Sequence, residues 1–188
     1  MDERELLGRL RGGDKDAFDS IFREYYPHLT GVAESMLRER EAAEDMAQDV
    51  MMELWRRRET LVLETSLRAY LFRAVRNRSL NYLRHLRIAP RVDPEAAATV
   101  SGGSADRDTL ENEMETAVRA AIGELPERCR EVFQLSRVHG LKYVEIAQAL
   151  EISVKTVEAQ MGKAIRVLRT RLAAWLPQAK GMDGDHPE

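Results

Sequence analysis

The chain has 188 residues, 44% hydrophobic and 32% charged, which suits one domain or two small ones with a polar surface. It holds no apolar run near the ~18 residues of a membrane span, no apolar core of a signal peptide after Met1-Asp2-Glu3-Arg4-Glu5, and one cysteine, Cys129, which excludes an internal disulfide. The net charge of −3 hides two basic islands in an acidic chain: residues 1–55 carry 7 Lys+Arg against 14 Asp+Glu, residues 56–91 carry 10 arginines against Glu59 and Glu64, and residues 153–172 carry 5 Lys+Arg against Glu158.

Such segregation suits either a polyanion partner for the islands or ordinary solvated helix faces, and the remaining features suit a cytoplasmic protein with no membrane insertion. Twenty-four arginines against 5 lysines suit a GC-rich genome. Helical periodicity dominates residues 14–87 and 108–176, and no alternating strand pattern of useful length occurs.

Residues 42–58 place Ala43, Met46, Ala47, Val50, Met51 and Leu54 on one buried helical face. Asp45, Gln48, Asp49 and Met52 lie opposite. Such a face is either an ordinary solvated surface or, as a methionine amid its polar groups favours, a docking surface for another protein. The stretch Arg56–Thr65 follows, with Leu61, Val62 and Leu63 expected to pack inward, a pocket for an extruded base being the alternative.

Residues 66–87 then read as one helix. At 100° per residue, Arg73, Arg76, Arg84 and Arg87 fall within about 80° of each other. Leu80 and Leu83 share the strip; Tyr70, Asn77 and Asn81 line its edge. Arginines track phosphates, while amides and a tyrosine ring bond or stack on unpaired bases. The face therefore suits single-stranded nucleic acid. A basic amphipathic helix touching a membrane or an acidic protein is the blander alternative.

Residues 88–107, with Pro90, Pro94 and Ser101-Gly102-Gly103-Ser104, read as a flexible linker. Its contour of about 65 Å would let two helical domains sit well apart on a large partner. Residues 177–188 read as a disordered tail.

Pro126 opens a helix through Cys129, Val132, Phe133 and Ser136 that ends at His139-Gly140, with Gly140 left-handed. Residues 143–150 form a short helix with Ile146, Ala147 and Leu150 inward. Glu151-Ile152 is a turn, and Ser153 caps the next helix. That helix is expected to turn Val154, Val157, Met161, Ile165, Leu168 and Leu172 to the core. This is helix-turn-helix spacing. Glycine often stands where Glu151 does, and a left-handed Glu151 costs about 1 kcal/mol, so the turn is open to another geometry.

The second helix of this motif presents its N-terminal residues to the major groove. Here they are Ser153, Lys155, Thr156, Glu158, Ala159, Gln160 and Lys163. Gln160 suits adenine, Glu158 cytosine and Ala159 a thymine methyl. Lys163, Arg166 and Arg169 suit phosphates.

Together these residues resemble the extracytoplasmic-function (ECF) sigma factors, the smallest members of the sigma-70 family. Asp14-Lys15-Asp16-Ala17-Phe18 with Tyr25-Tyr26-Pro27 is similar to the family's opening helix. Ala43-Glu44-Asp45-Met46-Ala47-Gln48-Asp49-Val50 with Leu54-Trp55 is similar to its region 2.2. Leu125-Pro126-Glu127-Arg128 with Arg130-Glu131-Val132-Phe133, then Gly140-Leu141, Glu145-Ile146-Ala147 and Ser153-Val154-Lys155-Thr156-Val157-Glu158, resemble its region 4.

The resemblance implies an all-α fold of two small domains: region 2 over 1–87 and region 4 over 108–176. It implies that Asp45, Gln48 and Asp49, with Met52 and Trp55 beside them, dock on the β′ clamp helices of RNA polymerase. Tyr70, Arg73, Arg76, Asn77, Asn81, Arg84 and Arg87 would hold melted −10 promoter DNA. The helix-turn-helix would read the −35 duplex and lean on the β flap, and an anti-sigma factor would restrain the chain. Tyr70 stands where tryptophan is frequent in this family, and Asn81 where aspartate is.

Two other classes compete. A helix-turn-helix repressor or activator acting without polymerase explains residues 126–172 but leaves the acidic helix and arginine stripe without a role. An enzyme finds little support. His28, His85, His139 and His186 are scattered, no Cys-x-x-Cys or His-Glu-x-x-His spacing occurs, and no glycine-rich phosphate loop is present. No cofactor is expected.

Overall fold

A computed structural model describes residues 3–88 and 109–175. The expected linker, Ile88 apart, and the expected tail lie outside them. The described residues form eight helices and no strand: α1 (Glu3–Arg11), α2 (Lys15–Leu37), α3 (Arg40–Arg57), α4 (Leu67–Ile88), α5 (Thr109–Gly123), α6 (Glu127–Arg137), α7 (Tyr143–Leu150) and α8 (Val154–Arg171). Helix α1 precedes the periodic stretch that the sequence marks.

Local chemistry sets the boundaries. Asp14 caps α2 by accepting from the N–H groups of Asp16 and Ala17 at 2.9 and 3.2 Å. Its other oxygen accepts from Arg9 Nε at 2.8 Å. That bond, and then the Ala17 N–H, hold the Asp14 carboxyl below the usual carboxylate range. Ser66 Oγ accepts from Ala69 N–H at 3.1 Å in the first turn of α4. Glu3, from α1, accepts the Leu67 N–H at 3.0 Å, so two distant segments satisfy free donors there.

Helices α2, α3 and α4 pack as one bundle closed by α1, and α6, α7 and α8 pack as another with α5 against α8. On the expected α3 face Ala43, Ala47, Val50, Met51 and Leu54 are buried and Met46 is half-buried. Leu61 is buried and Leu63 half-buried, but Val62, expected inside, is 82% exposed.

Two expectations about α7–α8 need correction. Glu151 does adopt the left-handed conformation, φ 56° and ψ 44°. The turn is held there by Ile152 N–H donating to Ala147 C=O at 2.9 Å, and the Glu151 side chain gains a partner across the molecule. Val154 and Ile165 face outward, each 37% exposed, whereas Val157, Met161, Ala164 and Leu168 are buried. Val157, Met161, Ala164 and Leu168, three and four residues apart, form the one stripe that packs on α5, α6 and α7, and Val154 and Ile165 fall outside it.

The halves do not sit apart. Helix α7 packs on α4. Leu71, Phe72 and Val75 of α4 share one apolar cluster with Leu135, Ile146, Ala149 and Leu150. Burial of this strip holds the halves together at roughly 25 cal/mol per Å² of apolar surface removed from water. Polar bonds frame it. Ser66 Oγ donates to Glu145 Oε1 at 2.7 Å, Arg68 to the Gly140 carbonyl at 3.2 Å, and His139 Nδ1 lies 3.4 Å from His28 Nδ1.

Candidate nucleic-acid interface

Three surfaces carry the residues singled out from sequence. On α3, Asp45, Gln48 and Asp49 are exposed together with Met52, which is 51% exposed. Trp55 is half-buried at the edge of this patch. Its ring lies 5.2 Å from that of Phe18, and the Arg58 guanidinium sits 4.6 Å above it. Arg78, which the sequence reading passed over, reaches from α4 to Asp49 at 3.5 Å and to Glu53. It thereby joins the acidic face to the arginine helix. Its position on the strip opposite Arg73 carried no signal by itself.

On α4, the predicted residues divide. Asn81 and Arg84 are exposed, and Arg84 Nη1 donates to Asn81 Oδ1 at 3.1 Å. Leu80, Leu83, Asn77 and Tyr70 are half-buried. Burial raises the Tyr70 hydroxyl above its ordinary pKa, so it remains a neutral donor. Arg73 and Arg76 lie beneath the second half. Arg73 Nη2 pairs with Glu151 Oε1 at 2.5 Å, and Arg76 Nε with Glu131 Oε1 at 2.6 Å. The Arg87 side chain lies outside the described ones.

On α8, Ser153 Oγ accepts from Thr156 N–H at 3.0 Å and caps the helix. Lys155, Thr156, Glu158, Ala159, Lys163 and Arg166 are exposed. Gln160 is half-buried, with its Oε1 accepting from Cys129 Sγ at 2.9 Å. Its amide oxygen is thus turned inward, and the NH₂ group is what remains for a ligand. The positive end of α8 and its exposed lysines form a surface suited to phosphate oxygens and base edges. The Cys129 and Glu131 partners were not legible, because nothing in periodicity pairs side chains from separate helices.

Residues 21–88 match the Sigma-70 region 2 family model, and residues 115–168 match that of Sigma-70, region 4. The ECF RNA polymerase sigma factor SigM of Mycobacterium tuberculosis is 30% identical over 174 residues, covering 93% of this chain and 84% of that one. The RNA polymerase sigma-H factor of Pseudomonas aeruginosa is 25% identical over 190 residues, covering 94% and 97%. Among solved structures, CnrH in complex with the cytosolic domain of CnrY is similar with a TM-score of 0.61 and 25% identity, covering 92% and 97%. RpoE from Bartonella quintana, in complex with the anti-sigma factor NepR, shares the fold at a TM-score of 0.61, with 22% identity over 83% of this chain and 96% of that one. Two family domains in order, matched along nearly the full length of several relatives, place the chain among the ECF sigma factors of the sigma-70 family.

Proposed function

We propose that this chain joins RNA polymerase core and directs initiation at promoters by reading a −35 duplex and a melted −10 strand. The observation that carries this reading is the exposed N-terminal face of α8, capped by Ser153 and flanked by Lys155 and Lys163, in the same chain as an arginine helix edged by Tyr70, Asn77 and Asn81. The first supports duplex recognition through the major groove. The second supports capture of unpaired bases and their phosphates. Asp45, Gln48, Asp49 and Met52, with Trp55 at their border, supply the acidic face for the β′ clamp helices, and the helix-turn-helix half leans on the β flap.

The chain acts in the cytoplasm as a subunit and not as a catalyst. An anti-sigma factor is its natural antagonist, a reading supported by the similarity to CnrH and RpoE, each solved with a bound partner. In vitro transcription with core polymerase on a promoter library tests the proposal. Initiation dependent on the chain, lost when Lys155 and Lys163 are both changed to Ala, is the expected result. No initiation on any template, with operator binding by the chain alone, would replace it with a free-standing repressor or activator.

A further inference from the structure

The histidines are scattered in sequence, but folding brings two of them together. His28 of α2 and His139, just past the end of α6, are 111 positions apart, and their Nδ1 atoms lie 3.4 Å from each other. Ring centroids 5.6 Å apart leave the two nitrogens pointing at one another across the gap, with the ring planes at 83°. The separation is long for a hydrogen bond between ring nitrogens. It is the spacing of two ligands on one ion, since nitrogens 2.0–2.1 Å from a tetrahedral Zn²⁺ stand about 3.4 Å apart.

His139 is held in place for this geometry. Its N–H donates to the Gln134 carbonyl at 3.1 Å, and the Leu141 N–H to the Leu135 carbonyl at 2.9 Å, which fixes the chain as α6 ends. Its ring lies 5.5 Å from that of the buried Phe72. On the other side a Cβ added at Gly31 would stand 3.5 Å from His139 Cε1, so the ring rests on α2 itself. His28 is exposed, and solvent reaches the pair from its side. Burial, and then His28, keep the His139 imidazole neutral near pH 7, the form that a metal takes. The gap lies off the carbonyl end of α6, whose partial negative charge favours a cation. Arg68 stands nearby on the Gly140 carbonyl at 3.2 Å, but Glu24 matches its charge at 3.4 Å.

We propose that His28 and His139 form a two-histidine site for an imidazole-preferring divalent transition metal, each ring coordinating through Nδ1 and keeping its proton on Nε2. Among the described residues no group of three or more His, Cys, Asp or Glu gathers to hold a metal ion. Water therefore fills the remaining positions, and the site is an open, exchanging one rather than a closed structural one. Its ligands come from opposite halves of the molecule. The ion joins α2 to the α6–α7 junction, and its binding is linked to the packing of α7 on α4.

The test uses the full chain, stripped of metal with EDTA and dialysed, with ZnCl₂ as the probe. Titration calorimetry gives the stoichiometry and dissociation constant, and thermal melts give the linked stability. Wild type should bind one Zn²⁺, and Zn²⁺ at a hundred times its dissociation constant should raise Tm by about 5–10 °C. His28→Asn and His139→Asn should each weaken binding roughly 10- to 100-fold and remove the gain in Tm. His28 is exposed, so His28→Asn keeps the test decisive even where His139→Asn fails to fold, as circular dichroism will show. Changing the other two histidines of the chain, His85 and His186, to Asn should alter neither quantity. Mg²⁺, which takes oxygen ligands, should leave Tm where it was.

No bound Zn²⁺ at millimolar metal, binding undiminished in His28→Asn, or binding lost with His85 and His186 overturns the proposal. Binding without a rise in Tm overturns it too, because an ion held by both halves must stabilise their contact. Neither polymerase nor DNA enters these measurements, so the promoter reading stands or falls separately.

Discussion

Cys129 Sγ donates to Gln160 Oε1 at 2.9 Å, fastening α6 to the middle of α8 across 31 positions of chain. Cys129 is fully buried. Its contact therefore orients the Gln160 amide. Cys129→Ala and Gln160→Ala are expected to act non-additively, with a coupling of about 0.5–1.5 kcal/mol in a double-mutant cycle read by urea unfolding. Selection from randomised duplexes should show the same altered base pair for both variants. Additive stability effects, or a change confined to Gln160→Ala, would refute the coupling.

His139 supplies a pH dependence. Burial, and then the neighbouring His28, lower its pKa from 6.5 to about 4. It meets His28 of α2 and Phe72 of α4, with the Arg76–Glu131 pair lining the same crevice. The open or unfolded chain binds the proton near pH 6.5 and the closed chain does not, so the closed state loses stability as pH falls from 6.5 toward 4. Discounted for partial exposure, the loss is on the order of 1–2 kcal/mol. The melting temperature of wild type should fall between pH 7 and pH 5, and that of His139→Phe should fall less. Parallel curves would contradict the assignment.

Phe72 is 1% exposed and sits in the cluster common to both halves. Phe72→Ala should cost about 3–5 kcal/mol. Calorimetry should show wild type melting in one transition and the variant splitting into two, as each half loses the other's support. Two transitions in wild type would mean that the shared cluster does not couple them.

Ser153→Ala removes the only side-chain acceptor at the start of α8 among the described residues, at about 0.5–2 kcal/mol. Ser153→Asp should restore most of that stability, measured by thermal melts. Failure of the aspartate to rescue would show that the hydroxyl serves some purpose other than capping.

Lys163 and Arg166 are exposed on α8. Changing each to Ala should weaken duplex binding for all sequences alike and reduce the salt slope of log K by about 0.9 per residue. A sequence-selective loss would reassign the side chain to a base.

Much of this was readable in the chain. Gly140, Ser153, Ile146 and Ala147 each answer a local demand, whether a left-handed C-terminus, a free N–H or a close helix approach, and local demands leave marks at fixed spacing. Arg73 and Arg76 were recognisable as a basic strip for the same reason. Their carboxylate partners were not, since Glu131 and Glu151 meet them only after two distant segments fold together. Val154 and Ile165 were misplaced because an apolar residue matches a helical period whether or not a neighbour covers it. Gln160 was legible as a residue on α8 but not as one turned toward a thiol.

The apolar strip of Leu71, Phe72, Ile146 and Leu150 has a consequence for the life of the protein between encounters. A chain that came apart unaided would show that strip to water, inviting self-association and cleavage. Separation of the halves and wetting of these four side chains therefore go together, so a state with the halves apart is one that needs something else to keep the strip dry.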